Sequence, residues 1–252
     1  MDGPLNMALD EIMWHEAAGG RALLRIYGWA DRPAVSFGYF QSLDEVRAVP
    51  GWSELPLVRR LTGGGAIVHD SDLTFSLALP AQLAPGTAEL YNRVHRTIAA
   101  ALTNLSAPAQ VGDASTGNVA DPACFRRSDR FAVRVFGHKV VGSAQRRQTD
   151  SVLMHGSLVL ARSVAAPEIR GLEELTGVRF DRSQLVVTLA RAISDAVAAD
   201  LQQAALPSPL LQRAERLADE KYRSQRWTEL RERKREAARP AAVGTEPGPV
   251  NA

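Results

Sequence analysis

A single cysteine stands in 252 residues, and no apolar run approaches the ~18 residues that a membrane span requires. Charge of neither sign dominates, with 30 Lys+Arg against 28 Asp+Glu. Each scarcity excludes something. The lone Cys124 forbids an internal disulfide and any multi-cysteine metal site. The missing apolar run leaves no membrane span, and the even charge is unlike that of a supercharged nucleic-acid binder. Neither a membrane nor a nucleic acid is therefore expected as a partner. The opening MDGPLNMALDEIMWHE carries acids early and lacks an apolar h-region, so no signal peptide is read there and a cytoplasmic setting is the default. No internal repeat is found. No His-x-x-x-His spacing is present, so no metal site is expected, and no Gly-x-Ser-x-Gly elbow points to a serine hydrolase.

What is present is ordinary globular composition, 45% hydrophobic and 23% charged, in a chain long enough for one large domain or one domain with a small appendage. Residues 4–17 read as an amphipathic helix with Leu5, Ala8, Leu9, Ile12 and Met13 on one face and Pro4 in the first turn. Short β-like runs follow at Leu23–Tyr27, Ala34–Gly38, Leu57–Leu61, Ala66–His69 and Leu73–Leu79. Ser42 and Glu45 have capping-box spacing for a short helix. Residues 87–105 read as helix and 106–124 as a long loop. Phe131–Phe136 and Lys139–Gln145 read as a hairpin about Gly137–His138, and Leu158–Leu160 as a further short strand. Residues 184–203 and 208–222 read as helices. Strands first and helices later predict an α+β fold with a large mixed or antiparallel β-sheet. The expected domain spans 1–227, helical from about 184. Residues 228–252 read as a charged and then Ala/Pro/Gly-rich tail, with disorder expected from about 238.

Three stretches carry possible chemistry. In Arg59-Arg60-Leu61-Thr62-Gly63-Gly64-Gly65-Ala66-Ile67-Val68-His69-Asp70, three glycines between two strands allow close approach to a ligand. A flexible turn is the plain alternative. A phosphate loop is disfavoured, because no Gly-Lys-Ser/Thr follows. In Gly137-His138-Lys139-Val140-Val141-Gly142-Ser143-Ala144-Gln145, Lys139 stands before small residues. Such a lysine can bind a carbonyl or phosphoryl oxygen or move a proton, or it can simply be a solvated hairpin lysine. Cys124 is either a small buried apolar residue or a nucleophile favoured by Arg126, Arg127 and Arg130 close behind it. His69 and His155-Gly156 lie beside the small-residue stretches, whereas His15 and His95 read as helix residues. The six Lys/Arg between 226 and 239 alternate with acids and read as a solvated face, with a weak docking role as the alternative.

Taken in order, Leu5–Glu11, Arg59–Asp70, Leu73–Ser76, Gly137–Arg146 and His155–Leu158 resemble the lipoate/biotin protein ligase superfamily, in the branch of lipoate–protein ligase A and the LipM-type octanoyltransferases. The resemblance covers roughly 5–235. It implies a mixed sheet flanked by helices, with an acyl tunnel beside the glycine run. The Pro-x-Cys-Phe setting of Cys124, upstream of Lys139, is similar to that of the LipM-type transferases. A Trp-x-x-Gly-x-x-Pro-like signature common in the ligases is not found after Trp227. The resemblance thus implies transfer of octanoyl from acyl carrier protein to a lysine of a lipoyl domain or glycine cleavage H protein. Cys124 and Lys139 would be catalytic. Arg59, Arg60, Gly63, Gly64, Gly65, Ala66, His69, Gly142, Ser143, Ala144, His155 and Gly156 would bind substrate, with Arg59 and Arg60 also able to receive an acidic carrier. No cofactor is then needed. The alternatives are an ATP- and Mg-dependent lipoate–protein ligase, in which Cys124 is packing, and a non-catalytic lipoate- or biotin-binding scaffold. Two departures stand out. Ser71-Asp72 replaces the family's Gly-Asn, and the first helix begins almost at Met1 without the strand that usually precedes it.

Overall fold

The computed structural model describes residues 1–30, 33–112, 121–127, 129–200 and 202–230. The expected tail beyond 230 lies outside the described residues, as do residues 113–120 of the expected loop 106–124. Helix α1 (Gly3–Ala17) starts where Asp2 caps it, its carboxylate accepting from the Leu5 amide at 2.9 Å, with Pro4 in the first turn. Burial extends beyond the expected stripe. Met7, Asp10 and Trp14 are covered too, because α1 is packed both on the main sheet and beneath the C-terminal helices.

Two sheets follow. The larger has six strands in the order β1 (Leu23–Tyr27), β5 (Asp72–Pro80), β9 (Ser151–Val159), β8 (His138–Arg147), β7 (Val133–Val135) and β6 (Ala109–Val111). All its neighbours pair antiparallel. The smaller is mixed. Its central β2 (Ala34–Phe37) pairs parallel with β3 (Leu57–Arg59) and antiparallel with β4 (Ile67–His69). Short α2 (Leu43–Arg47) lies between β2 and β3. Helices α3 (Thr87–Asn104) and α5 (Arg182–Ala196) pack together on one face of the large sheet, and α4 (Leu172–Thr176) stands between β9 and α5 in the chain. α6 (Ser208–Leu217) runs into a π-helical turn (Ala218–Tyr222), and α7 (Gln225–Thr228) closes the described chain. No helix among the described residues is long and apolar enough to cross a membrane.

Strand alternation sorts the core. On β5, Leu73, Phe75, Leu77 and Leu79 join the core under α3 and α5, while Thr74, Ser76 and Ala78 take the opposite face. On β9, Val152, Met154 and Leu158 face that same core, leaving His155 and Ser157 on the other side. On β2, Val35 and Phe37 pack in a third cluster and leave Ser36 facing away from it. The polar faces of β5, β9 and β2 border one inter-sheet space, and the site forms there.

Several elements differ from expectation. Ser151–Val159 is one long strand, not the short Leu158–Leu160, because His155, Gly156 and Ser157 interrupt its apolar pattern. The hairpin turn falls at Phe136–Gly137, both at positive φ, which suits the tight reversal. β6 forms within the expected loop. Helix α5 ends at Ala196, short of 203, and Ser42 precedes α2 without a side-chain cap bond.

Arg59 requires a correction. It does not reach substrate or an acidic carrier, because it is fully buried on the far side of β3. Its guanidinium lies over the Phe37 ring and donates to the carbonyls of Tyr39 (3.0 Å), Gln41 (2.7 Å) and Thr228 (2.6 Å). Trp227 returns an indole N–H to the Arg59 carbonyl at 2.9 Å. The residue ties α7 to the small sheet. Arg59→Ala leaves several buried carbonyls unmatched and should cost about 3 kcal/mol or more in chemical denaturation. Arg59→Lys should recover only part, lacking the planar fork. A loss below about 1 kcal/mol for the Ala variant would show that the tie is dispensable.

Candidate active site

The glycine loop is held by charge. Arg60 follows β3 and is buried, and burial lowers its pKa to about 10, with nearby Cys124 opposing the shift. Its Nη1 donates to the Ser36 carbonyl (2.7 Å) and hydroxyl (2.8 Å), and its Nη2 to the carbonyls of Gly63 (3.1 Å) and Gly65 (2.8 Å). From the other side, Arg146 of β8 donates to the Leu61 carbonyl at 2.8 Å and lies over the Tyr39 and Trp14 rings. Gly64 takes φ +90°, which a side chain disfavours. Gly65 admits Cys124: a Cβ there would stand 2.8 Å from both Cα and N of Cys124. The contact is locked by backbone bonds, Ala66 N–H to the Pro122 carbonyl and Cys124 N–H to the Ala66 carbonyl, each 2.8 Å. Arg60 too is out of reach of an acidic carrier, since it is buried beneath the loop, although it lines the cleft.

Cys124 opens a 3₁₀ turn, Cys124–Arg126, and its sulfur lies 3.7 Å from Lys139 Nζ. Lys139 also donates to the Cys124 carbonyl and to Asp129 Oδ2, both at 3.2 Å. Its side chain is 2% exposed. A β-bulge aims it there. Val133 pairs with Val141 but Arg134 with Lys139, so Val140 is an extra residue. Gly142 lies against the lysine stem, leaving room for it. Beside this pair, Ser143 meets His95 Nε2 at 2.8 Å, and His95 Nδ1 bonds the Phe131 carbonyl.

A narrow, mostly apolar cleft lies next to Cys124. Of the expected residues, Arg60, Gly64, His69, Ser143, Ala144 and His155-Gly156 line it together with Cys124. Gly63, Gly65, Ala66, Lys139 and Gly142 do not line it; Gly65 and Ala66 hold the Cys124 backbone, and Gly142 lies against Lys139. Met7, Trp29 and Ile67 add apolar wall.

A buried polar network backs this cleft. Asp10 accepts from Tyr27 at 3.0 Å and pairs with Arg25 at 3.1 Å and with His155 Nδ1 at 3.2 Å. Thr62 closes on His155 Nε2. Asp72 accepts from His69 Nδ1–H (2.8 Å), Ser157 (2.7 Å) and Thr74 (3.0 Å), and Trp29 stacks on His69 with 3.8 Å between centroids. Burial alone would raise the Asp72 pKa, but His69 and these donors hold it below its usual value. Burial, and next Asp10, push Tyr27 well above its ordinary range. Burial lowers His155 despite Asp10, and lowers His95 despite the Phe131 carbonyl and Asp129. The Ser71-Asp72 departure thus gives the network its hub. Asp10, Asp129 and His95 were not singled out as site residues in the sequence. Asp10 sits within the quoted Leu5–Glu11 run, while His95 looked like any helix residue and nothing local marked Asp129. Among the described residues, no group of three or more His, Cys, Asp or Glu side chains is placed to hold a metal ion.

Fold and site define a class: a two-sheet α+β domain in which a glycine-rich loop seats a cysteine against a buried lysine, at the edge of a cleft that is apolar on one wall. The chain belongs to the Lipoyl protein ligase A/B catalytic domain family, which matches residues 2–170. It is 36% identical to Octanoyltransferase LipM of Symbiobacterium thermophilum, over 89% of this chain and 93% of that one. It is 37% identical to Octanoyltransferase LipM of Moorella thermoacetica, over 62% of this chain and 60% of that one. Its fold is similar to that of a lipoate-protein ligase A bound with ATP, with a TM-score of 0.74 at 21% identity, over 91% of this chain and 95% of that one.

Gly65→Ala drives a methyl into Cys124 backbone and should move the thiol off Lys139. Alkylation of Cys124 by iodoacetamide near pH 7 is expected to slow about tenfold, and an unchanged rate would contradict this seating. Stability should fall as pH drops from about 7 to 5. Unfolded histidines take up protons near pH 6.5, whereas native His95 and His155, with lowered pKa values, resist until lower pH. His95→Gln should flatten that dependence in urea midpoints measured across the range, and an unaltered slope would count against it.

Proposed function

We propose that this protein is an octanoyltransferase of protein lipoylation. It would move octanoyl from acyl carrier protein to a lysine of a lipoyl domain or of glycine cleavage H protein, through a thioester on Cys124. The observation that carries the reading is Cys124 Sγ at 3.7 Å from the buried Lys139 ammonium, beside the cleft. Family membership and the two LipM relatives support it. A thiolate next to a cation is a competent nucleophile. The catalytic unit of this proposal is residues 1–227, and its setting is the cytoplasm, where the reading requires acyl carrier protein.

In the first half-reaction, the Cys124 thiolate adds to the thioester carbonyl of the donor. The carbon–sulfur bond to the phosphopantetheine arm breaks, and the arm leaves as a thiolate that takes up a proton. The alkyl chain lies in the cleft between Met7, Trp29 and Ile67 on one side and Ala144 and Gly156 on the other. Gly64 and Ser143 flank the carbonyl, and Lys139 balances the charge that develops. In the second half-reaction, the neutral ε-amine of the acceptor lysine adds to the acyl-enzyme carbonyl. The C–N bond forms, the C–S bond breaks, and the amine proton leaves as Cys124 is restored. Thioester to amide runs downhill, so no ATP and no metal enter the scheme.

Intact mass after mixing the protein with octanoyl-acyl carrier protein, without ATP, tests this. The expected result is the gain of one octanoyl group, released by hydroxylamine and missing in Cys124→Ser. Absence of the adduct, together with lipoyl-adenylate formation from lipoate and ATP, would replace the transferase reading with a ligase.

A further inference from the structure

Resting on that reading, we propose that Asp129 is a positioning residue for the reaction: it is the permanent counter-charge of Lys139, and it holds the ammonium at Cys124 while the sulfur is acylated.

The argument starts from a buried cation. Lys139 is 2% exposed, and its Nζ has three neighbours: Cys124 Sγ at 3.7 Å, the Cys124 carbonyl at 3.2 Å and Asp129 Oδ2 at 3.2 Å. Two of these can carry negative charge. Before acylation the sulfur and the carboxylate share the ammonium. Once the thioester forms, the sulfur is neutral, and among the described residues only Asp129 still balances the lysine. A buried ammonium without a counter-charge loses its proton or leaves its place. It would then be missing when the amine attacks and the sulfur must depart as an anion. Of the other titratable groups that interact with this cluster among the described residues, His95 and Tyr91 are held off their charged forms by burial and Arg60 is itself a cation, so none supplies a negative charge in exchange.

The geometry suits a fixed rather than a wandering carboxylate. Asp129 Oδ1 accepts the Phe131 amide at 2.9 Å, which pins the side chain and leaves Oδ2 for the lysine. At 28% exposure the carboxylate keeps contact with water and stays ionised at modest cost, while the lysine it serves is enclosed. The bulge at Val140 delivers the lysine to it from the opposite strand.

The test separates the half-reactions by single-turnover intact mass, with octanoyl-acyl carrier protein as donor and an isolated lipoyl domain as acceptor. Asp129→Asn keeps an acceptor for the Phe131 amide but removes the charge and turns the atom facing Lys139 from an acceptor into a donor. Its acylation should stay near the wild-type rate, because the thiolate still pairs with Lys139. Its transfer to the lipoyl domain should slow about tenfold or more, so that acyl-enzyme accumulates. Asp129→Glu should restore part of the transfer rate. If Asp129→Asn does not fold, Asp129→Ser gives the same comparison. Wild-type transfer in the uncharged variant overturns the inference. So does an equal slowing of both halves with a lowered melting temperature and no rescue by Glu, which marks a merely structural residue. If the wild-type protein itself forms no acyl-enzyme, the transferase reading falls and this inference falls with it.

Discussion

The Arg60 guanidinium is sunk between the two sheets and donates to four acceptors on two segments, Ser36 of β2 and the Gly63–Gly65 loop. No carboxylate is among those four partners. The cation is held by aligned carbonyls and a hydroxyl, and burial lowers its pKa to about 10 without neutralising it at ordinary pH. The loop therefore cannot relax without stranding a charge, and everything downstream inherits that rigidity. Gly65 sits close enough to fix the Cys124 backbone, the Ala66–Ala123 bridge holds the segment in register, and the sulfur arrives beside Lys139. Arg146 secures the opposite end of the loop from β8. A flexible glycine turn could not hold the Cys124 sulfur at one fixed place beside Lys139. Glycines pinned by two arginines can.

Strand alternation assigns the rest. The leucines of β5 and the aliphatic side chains of β9 build one core, and the intervening Thr74, Ser76, His155 and Ser157 are left facing the gap between the sheets. Polar groups there are buried and had to be paired. Asp10 and Asp72 each gather several donors, which fixes Tyr27, His155, His69 and Trp29 around the cleft. The same network that stabilises the inter-sheet gap also shapes the cavity that a ligand would enter.

Much of this was legible in the residues. The glycine run, the lysine before Gly142-Ser143-Ala144, and the arginine-rich neighbourhood of Cys124 stand out by type and spacing, and their order carried the family. Most of the early strands and α1, α2 and α3 follow from periodicity and turn chemistry. What escaped was pairing across the chain. Asp129 means nothing until a bulge turns Lys139 toward it, and β9 hides because its polar residues serve the site and spoil its apolar rhythm. Arg59 and Arg60 are neighbours of the same type, yet the alternation of a strand sends them to opposite faces. One ties down α7 and the other the glycine loop, and no local signal distinguishes them.

That division of labour bears on how one fold can host different acyl chemistries. A buried ammonium beside a cleft is useful wherever negative charge develops, on a phosphoryl oxygen or on a sulfur. The lysine alone therefore does not choose the reaction. The choice lies in what the glycine loop seats opposite it. Here Gly65 leaves room for the Cys124 backbone, and the sulfur lies 3.7 Å from the ammonium. A nucleophile in that position consumes its own negative charge when it is acylated. In the proposed cycle a counter-charge that chemistry does not consume then becomes a requirement, and the carboxylate of Asp129, pinned by the Phe131 amide, lies where it would meet it.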